Sequence, residues 1–215
     1  AKLGPVHVGT FSETVADAEA ETDLAQVAAT YCLAKRSKPL ALAGVQAIFT
    51  RKPVSLTAFH HAELANWIED TLRLHNIETV FVFSGQMGQY IPASFKGRII
   101  VDLCDVDSAK FAAYARAGQR PWLNSREARL LSVEEERLAH LADITTLISD
   151  AEANILRKQL PQATANKVKS LPNGIDTALF DADADWTPVE WGNAGPKLVF
   201  TGQMDYPPNV EACLW

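Results

Sequence analysis

Apolar residues along the chain form short unbroken runs that alternate with longer stretches of helical spacing. "TVFVFSG" at Thr79–Gly85 and "RIIVDLCD" at Arg98–Asp105 are nearly continuous apolar runs, which suit strands covered on both faces of a parallel sheet. Between His60 and Leu74, apolar residues recur at helical spacing instead, at Leu64, Trp67, Ile68 and Leu72. This alternation predicts an α/β fold: a Rossmann-like open parallel sheet with helices on both faces.

The same pattern places the individual elements of residues 6–175. We predict a single parallel sheet with strands near Val6, Thr79, Arg98, Ile144 and Lys167, and a further short strand at Cys32–Arg36. The predicted helices cover Asp17–Tyr31, Pro39–Phe49, His60–Leu74, Ser108–Ala117, Ser125–Ala142 and Asp150 to about Gln159.

The last part of the chain, "KLVFTGQMDYPPNVEACLW", predicts the opening of a second domain. It contains an apolar strand at Leu198–Phe200, a glycine turn at Gly202 and a helix opened by Pro207 and Pro208, since proline suits a first helical turn. Before it, the acidic stretch Asp181–Gly195 lacks periodicity and predicts a linker. We therefore expect a first domain at 1–180, a linker at 181–196 and the start of a second domain at 197–215.

Charge and cysteine content narrow the function classes. A net charge of −6 argues against broad nucleic-acid binding. "LAKRSK" at Leu33–Lys38 is either a local basic patch or a solvated strand end. The three cysteines show no CxxC or Cys/His spacing typical of zinc, which favours reduced thiols in a cytoplasmic protein. The chain has no apolar run of ~18 residues, the length that a transmembrane helix needs.

Polar residues follow several predicted strands, at the edge where parallel α/β sheets bind ligands. These residues are Ser84, Asp102, Asp105, Ser149 and Asn173. Asp102 and Asp105 are well placed to accept hydrogen bonds from sugar hydroxyls. Asp105 and Asp107 also have the D-x-D spacing of some metal–nucleotide sites, but Asp107 before Ser108 is a good helix N-cap pair, and we favour the cap.

Two glycine-containing segments are candidate binding loops. In "FSGQMGQY", Gly85 and Gly88 indicate either a turn with positive φ or a loop whose backbone N–H groups face the cleft. Asn173-Gly174 in "LPNGID" predicts a tight turn that exposes backbone amides, or a hinge. Neither segment is a GxGxxG dinucleotide fingerprint.

Two segments together resemble one enzyme family. "LPNGIDTALF" is similar to the segment that closes the first domain of family 4 glycosyltransferases of GT-B architecture, and "KLVFTGQMDYPPNVEACLW" to the opening of their second domain. The "FTG-M-DY-PN" form is closest to bacterial exopolysaccharide- and exosortase-associated sugar transferases. "IIVDLCDVDSAKFAAYA" and "LISDAEANIL" also resemble first-domain segments of that group.

The resemblance implies a retaining glycosyltransferase that moves a sugar from a nucleotide-sugar donor to a glycan or lipid-linked acceptor without a bound metal or other cofactor. The first domain would hold the acceptor, through Ser84, Gly85, Asp102, Asp105, Asn173 and Gly174. The second would hold the donor phosphates, through Gly202, Asp205, Tyr206 and Asn209. Where many relatives carry a phosphate-binding Arg and Lys, this chain has Met204 and Asn209.

Against the family pattern, the first strand of the first domain and the E-x7-E catalytic motif of the second are both missing, so the catalytic residues are unknown. We expect a catalytically inert fragment, cytoplasmic with at most peripheral contact with the inner membrane face. Lys197–Gly202 is expected to fill the missing strand's slot in its own molecule or in a partner's, as a domain-swapped dimer. The alternatives are an enzyme of the UDP-sugar 2-epimerase type and a non-catalytic Rossmann-like small-molecule binding domain.

Overall fold

A computed structural model of the protein describes residues 4–181, 183–187, 192, 195–204 and 207–215. The chain divides into two compact units, residues 1–173 and 174–215. The larger unit contains all the strands of the described residues, and the smaller contains one helix.

The first unit alternates strands and helices along the chain. Its strands are β1 (His7–Ser12), β2 (Thr30–Lys35), β3 (Thr79–Phe83), β4 (Arg98–Cys104), β5 (Ile144–Leu147) and β6 (Val168–Ser170). Its helices are α1 (Val15–Glu19), α2 (Glu21–Val27), α3 (Leu40–Thr50), α4 (Val54–Ala58), α5 (Ala62–Leu74), α6 (Asp107–Arg116), α7 (Pro121–Leu141), α8 (Asp150–Arg157) and α9 (Gln162–Ala165), with a 3-10 helix at Gly85–Tyr90.

All strand pairs are parallel, so the predicted α/β class with parallel sheets flanked by helices is confirmed. The prediction of one continuous sheet is wrong. β1 pairs with β2 in a two-stranded sheet, and β3-β4-β5-β6 form a separate four-stranded sheet. The predicted helix Asp17–Tyr31 is also too long, because its last residues belong to β2, the short strand that the sequence did predict.

The four-stranded sheet is buried on one face by the main core. Along β4, Ile99, Val101 and Leu103 are buried, and Leu147 of β5 is fully enclosed. The opposite face of β3 is open, because Phe81 is 57% exposed and Phe83 is 62% exposed. The continuous apolar run therefore lies on a strand that is covered fully on one side only.

The two-stranded sheet packs on α5. A side chain at Gly9 would meet Leu64 at 3.0 Å and Trp67 at 3.2 Å, so the absence of a side chain lets the helix approach β1. Leu64 and Ala34 form a small buried cluster with Tyr90, which follows β3 in the chain. Tyr90 thereby connects the two sheets.

The strands β1 and β3 run in the same direction. At the start of β1, the ring of His7 stacks on His75, just before β3, with centroids 4.2 Å apart. Towards its end, Phe11 contacts Tyr90, just after β3, with centroids 6.5 Å apart. The carboxyl ends of both sheets consequently lie on the same side of the first unit.

The smaller unit differs in part from its prediction. The helix opened by two prolines is present as α10 (Pro207–Leu214). The predicted strand at Leu198–Phe200 is wrong, since residues 196–201 form no strand and Leu198 is 94% exposed. A strand needs a hydrogen-bonded neighbour, and residues 174–215 supply none in their described parts.

Candidate functional site

The carboxyl ends of β3 and β4 bring four predicted site residues together. Phe83, the last residue of β3, pairs with Asp102 of β4. The next residue, Ser84, donates its backbone N–H to the carbonyl oxygen of Asp102 at 2.7 Å. Gly85 opens the 3-10 helix immediately after it, and Asp105 follows the end of β4. Ser84, Gly85, Asp102 and Asp105 thus share one edge of the four-stranded sheet.

Two residues at this edge hold a strained backbone. Ser84 has φ 72° and Cys104 has φ 64°, conformations that favour glycine. Each costs about 1–3 kcal/mol, and such strain persists where surrounding contacts impose it. At Cys104 these contacts are an N–H donated to Oδ1 of Asp102 at 3.1 Å and a carbonyl that accepts from Ile148 at 2.7 Å. Paired strain at neighbouring strand ends is typical of a functional site.

The three carboxylates in and after the last part of β4 have different partners. Asp102 accepts from the backbone of Cys104, and Asp107 forms an ion pair with Lys110. Asp105 is exposed, and no hydrogen bond or ion pair occupies its carboxylate among the described residues. Asp105 is therefore the carboxylate of this group that is open to a ligand.

The N-cap interpretation of Asp107 is wrong. The N-cap position of α6 is Val106, and Asp107 makes no capping hydrogen bond. Two distant glutamates satisfy this helix terminus instead. Val106 donates its N–H to Oε2 of Glu152 at 2.7 Å, and Ser108 donates its N–H to Oε1 of Glu135 at 2.8 Å. These N–H groups are therefore already occupied and do not form an anion site.

Burial controls the ionisation of two groups near this edge. It raises the pKa of the Cys104 thiol to about 11, and the carboxylates of Asp102, Asp105 and Asp107 add to the rise. The thiol is thus protonated at neutral pH and does not act as a thiolate nucleophile. Burial also raises the pKa of Glu135 to about 7, against the opposing effect of its hydrogen bonds from Ser108.

The glycines of "FSGQMGQY" do not supply the predicted turn with positive φ. That conformation belongs to Ser84 instead. Gly88 has a packing role, since a side chain there would collide with Leu138 of α7. The segment forms a 3-10 helix whose geometry is fixed by Gln89, which donates to the carbonyl oxygens of Leu56 at 3.0 Å and Gln86 at 2.8 Å.

A second group of polar and aromatic residues lies at the carboxyl ends of β1 and β2. Arg36 forms a 2.7 Å ion pair with Glu13, and its guanidinium group lies 5.4 Å from the centre of the Phe59 ring. The Tyr90 hydroxyl accepts from the backbone of His61 at 2.9 Å and donates to the carbonyl of Phe59. The partly exposed ion pair supplies hydrogen-bonding groups that suit the hydroxyls of a sugar, whereas Tyr90 is buried and belongs to the core.

Sequence reasoning missed this second group, because its members come from four separate segments. The one signal of this group in the sequence is "LAKRSK", which predicts a basic patch or a solvated strand end. In the structure, Lys38 donates to the carbonyl of Thr57 at 2.8 Å, and Arg36 is paired with Glu13. The cluster therefore serves the local structure and presents no free row of cations.

The remaining predicted site residues lie elsewhere. Asn173 and Gly174 are exposed and stand on either side of the boundary between the two units. In the smaller unit, Gly202 lies against Asn209, whose amide donates to the carbonyl of Gln203 at 3.0 Å. Asp205 and Tyr206 lie outside the described residues.

The described residues contain no group of three metal-ligating side chains. In the same part of the chain, none of the helices combines the length and the apolar character that crossing a membrane requires. A scan against protein-family models gives no match, and a search of curated proteins gives none either.

Proposed function

We propose that the first unit is the acceptor-side domain of a retaining glycosyltransferase, which transfers a sugar from a nucleotide-sugar donor to a glycan or lipid-linked acceptor. The observation that carries the proposal is the edge at β3 and β4. There an open carboxylate, Asp105, lies beside two strained residues, Ser84 and Cys104, at adjacent parallel strand ends. Ligands of open parallel α/β sheets bind at this edge.

The chemistry at this edge suits a hydroxyl-rich acceptor. A carboxylate accepts hydrogen bonds from sugar hydroxyls, and such charge-assisted bonds contribute about 1.5–3 kcal/mol each. On the side of β1 and β2, the partly exposed ion pair of Arg36 and Glu13 offers further hydrogen-bonding groups, beside the half-buried ring of Phe59.

The family-like motifs supply the donor side of the proposal. "LPNGIDTALF" and "FTGQMDYPPN" resemble glycosyltransferase segments, and Gly202 and Asn209 of the second motif lie in contact. Departure of the nucleoside diphosphate needs cationic groups or helix N-termini. Among the described residues 195–215, the one cation is Lys197. We therefore expect these 215 residues to bind an acceptor without turning over a nucleotide sugar.

The binding step is tested by titrating the 215-residue chain with a panel of oligosaccharides and following amide chemical shifts. We expect shifts centred on Ser84–Gly85 and Asp102–Asp105, and a roughly tenfold weaker affinity in Asp105→Ala, as the loss of a charge-assisted hydrogen bond predicts. Asp70→Ala is the matched control, since Asp70 is also exposed but lies on α5 in an ion pair with Arg73. Equal affinity of the two variants would contradict the placement of the acceptor.

The transfer step is tested with the intact enzyme and a panel of nucleotide sugars. Asp105→Ala should reduce transfer by far more than it reduces stability. Transfer by the 215-residue chain alone would show that the donor side is wrongly assigned. Saccharide binding without transfer by the intact enzyme would favour the non-catalytic binding domain.

A further inference from the structure

The hairpin formed by α6 and α7 carries a concentration of positive charge in an acidic chain. Residues 108–133 contain five cations and one acid, although the whole chain has a net charge of −6. The acid, Glu127, is only 3% exposed. The solvent-facing surface of this part of the hairpin, on both sides of its turn, is therefore basic, whereas the last turns of α7 carry three glutamates at residues 134–136.

Two of these five cations have partners within the protein, and the other three are exposed to solvent. Lys110 pairs with Asp107, and Arg126 donates to the carbonyl oxygens of Ala47 at 2.7 Å and Lys52 at 3.1 Å. The other three are exposed, and the described part of the chain gives them no hydrogen bond or ion pair: Arg116, Arg120 and Arg129.

Large apolar side chains are exposed beside these arginines. Trp122 is 70% exposed and Val133 is 62% exposed. With 3.6 residues per turn, the spacings of seven and four residues place Trp122, Arg129 and Val133 on one face of α7. Arg116 and Arg129 also line one groove of about 800 Å³ between α6 and α7. We call Arg116, Arg120, Trp122, Arg129 and Val133 the hairpin face.

The turn between the helices holds the hairpin face in place. Gly118 has φ 77° and Arg120 has φ 40°, and Gln119 donates its N–H to the carbonyl of Tyr114 at 2.9 Å. The side-chain amide of Asn124 in turn donates to the carbonyl of Gln119. These two hydrogen bonds fix the backbone of the turn that carries Arg120 and joins the two helices.

We propose that the hairpin face docks on the surface of an anionic lipid bilayer. Arginine guanidinium groups bind lipid phosphates bidentately, and an exposed Trp is favoured at the boundary between headgroups and acyl chains. Each basic residue near an anionic membrane strengthens binding by about fivefold. A nucleic acid is a poorer fit, because three arginines on a chain of net charge −6 neutralise few phosphates.

The test is flotation of the full chain with vesicles of phosphatidylcholine, with and without phosphatidylglycerol. We expect binding only to the anionic vesicles and its loss at high salt. The triple variant Arg116→Glu/Arg120→Glu/Arg129→Glu should bind at least about 100-fold more weakly, as roughly fivefold per arginine predicts. The matched control is Lys96→Glu/Lys158→Glu/Lys169→Glu, which makes the same charge change at exposed lysines elsewhere in the first unit.

Trp122→Ala gives a second readout that leaves the charge unchanged. It should weaken vesicle binding, and brominated lipids should quench the wild-type fluorescence more than that of the variant. Thermal melts confirm that each variant is folded. Equal binding by the two triple variants, salt-independent binding to neutral vesicles, or binding of an oligonucleotide without vesicle binding would each overturn the proposal. Because lipid binding is measured without sugar transfer, its failure leaves the transferase assignment intact.

Discussion

The two parallel sheets of the first unit have similar strands but very different cores. Eleven buried residues form the core of the four-stranded sheet, whereas three form that of the two-stranded sheet. The strands of the small sheet are six residues long and those of the large sheet three to seven, so strand length does not explain the difference. The number of neighbouring strands and the helices that cover them decide how much apolar surface is buried. We therefore expect β1 and β2 to open locally before β4 and β5.

Charged residues also behave differently beside the two sheets. Next to the four-stranded sheet, buried glutamates bind backbone N–H groups, as Glu135 does at Ser108. Next to the two-stranded sheet, Glu13 and Arg36 form an ion pair with side chains 38% and 22% exposed. Removal of a buried charge and removal of an exposed ion pair should consequently change the free energy of unfolding by different amounts and with different pH dependence.

The largest expected effect is a cavity in the four-stranded sheet. Leu147 is fully buried on β5, between two strands. Leu147→Ala should lower the free energy of unfolding by about 4 kcal/mol, near the upper part of the range for buried leucines, because a well-covered sheet relaxes little around a cavity. Urea denaturation measures the change. Leu74→Ala, at a leucine that is 67% exposed, is the control and should change stability by less than about 0.5 kcal/mol.

The second effect is the pH dependence that Glu135 introduces. Its pKa is raised from 4.5 to about 7, so the folded state holds the proton more tightly than the unfolded state. This proton adds about 3 kcal/mol to the free energy of unfolding. The contribution is fully present below about pH 4.5 and is lost as pH rises through about 7. Urea denaturation at pH 5 and pH 8 measures it.

In Glu135→Gln this loss between pH 5 and pH 8 should largely disappear, because an amide does not ionise. Glu136→Gln is the neighbouring control, at an exposed glutamate, and should retain the wild-type pH dependence. An unchanged pH dependence in Glu135→Gln would show that another group is responsible.

The third effect tests the small core. Leu64 is fully buried under β1, and Leu64→Ala should cost about 2 kcal/mol, at the lower end of the range, because a two-stranded sheet can settle around the gap. Hydrogen exchange separates the regions. Amides of β1 and β2 should exchange faster, and those of β4 and β5 should not. A uniform acceleration throughout the first unit would show that the two sheets unfold as one.

The smallest effect is expected at the exposed ion pair. Glu13→Gln should lower stability by less than about 1 kcal/mol, and salt should reduce the difference from wild type. Thermal melts at low and high salt measure this. A loss that salt does not change would mean that the pair acts through the stacking of Arg36 on Phe59.

The sequence predicted what depends on local pattern and missed what depends on pairing. β3, β4 and β5 are predicted because their apolar and β-branched residues are consecutive and are bounded by polar residues. The division into two sheets was missed, since no pattern within β1 specifies which strand it pairs with. Leu198–Phe200 has the same apolar character, yet it forms no strand because residues 174–215 offer no partner in their described parts.

The candidate site was predictable to a similar extent. Asp105 and Ser84 followed from their positions after strands. The positive φ of Ser84 and Cys104 was not predictable, because non-glycine residues give no sign of it in sequence. The occupation of the α6 terminus by Glu135 and Glu152 depends on contacts across 27 and 46 residues, which periodicity does not encode.

Those two long-range hydrogen bonds also bear on the order of folding. A helix whose first N–H groups are satisfied by its own N-cap side chain can form early and alone. At α6 the acceptors belong to α7 and α8, so its first turn gains its partners only after both later helices have docked. We therefore expect the segment that carries Asp105 to form late in folding and to be lost together with the core.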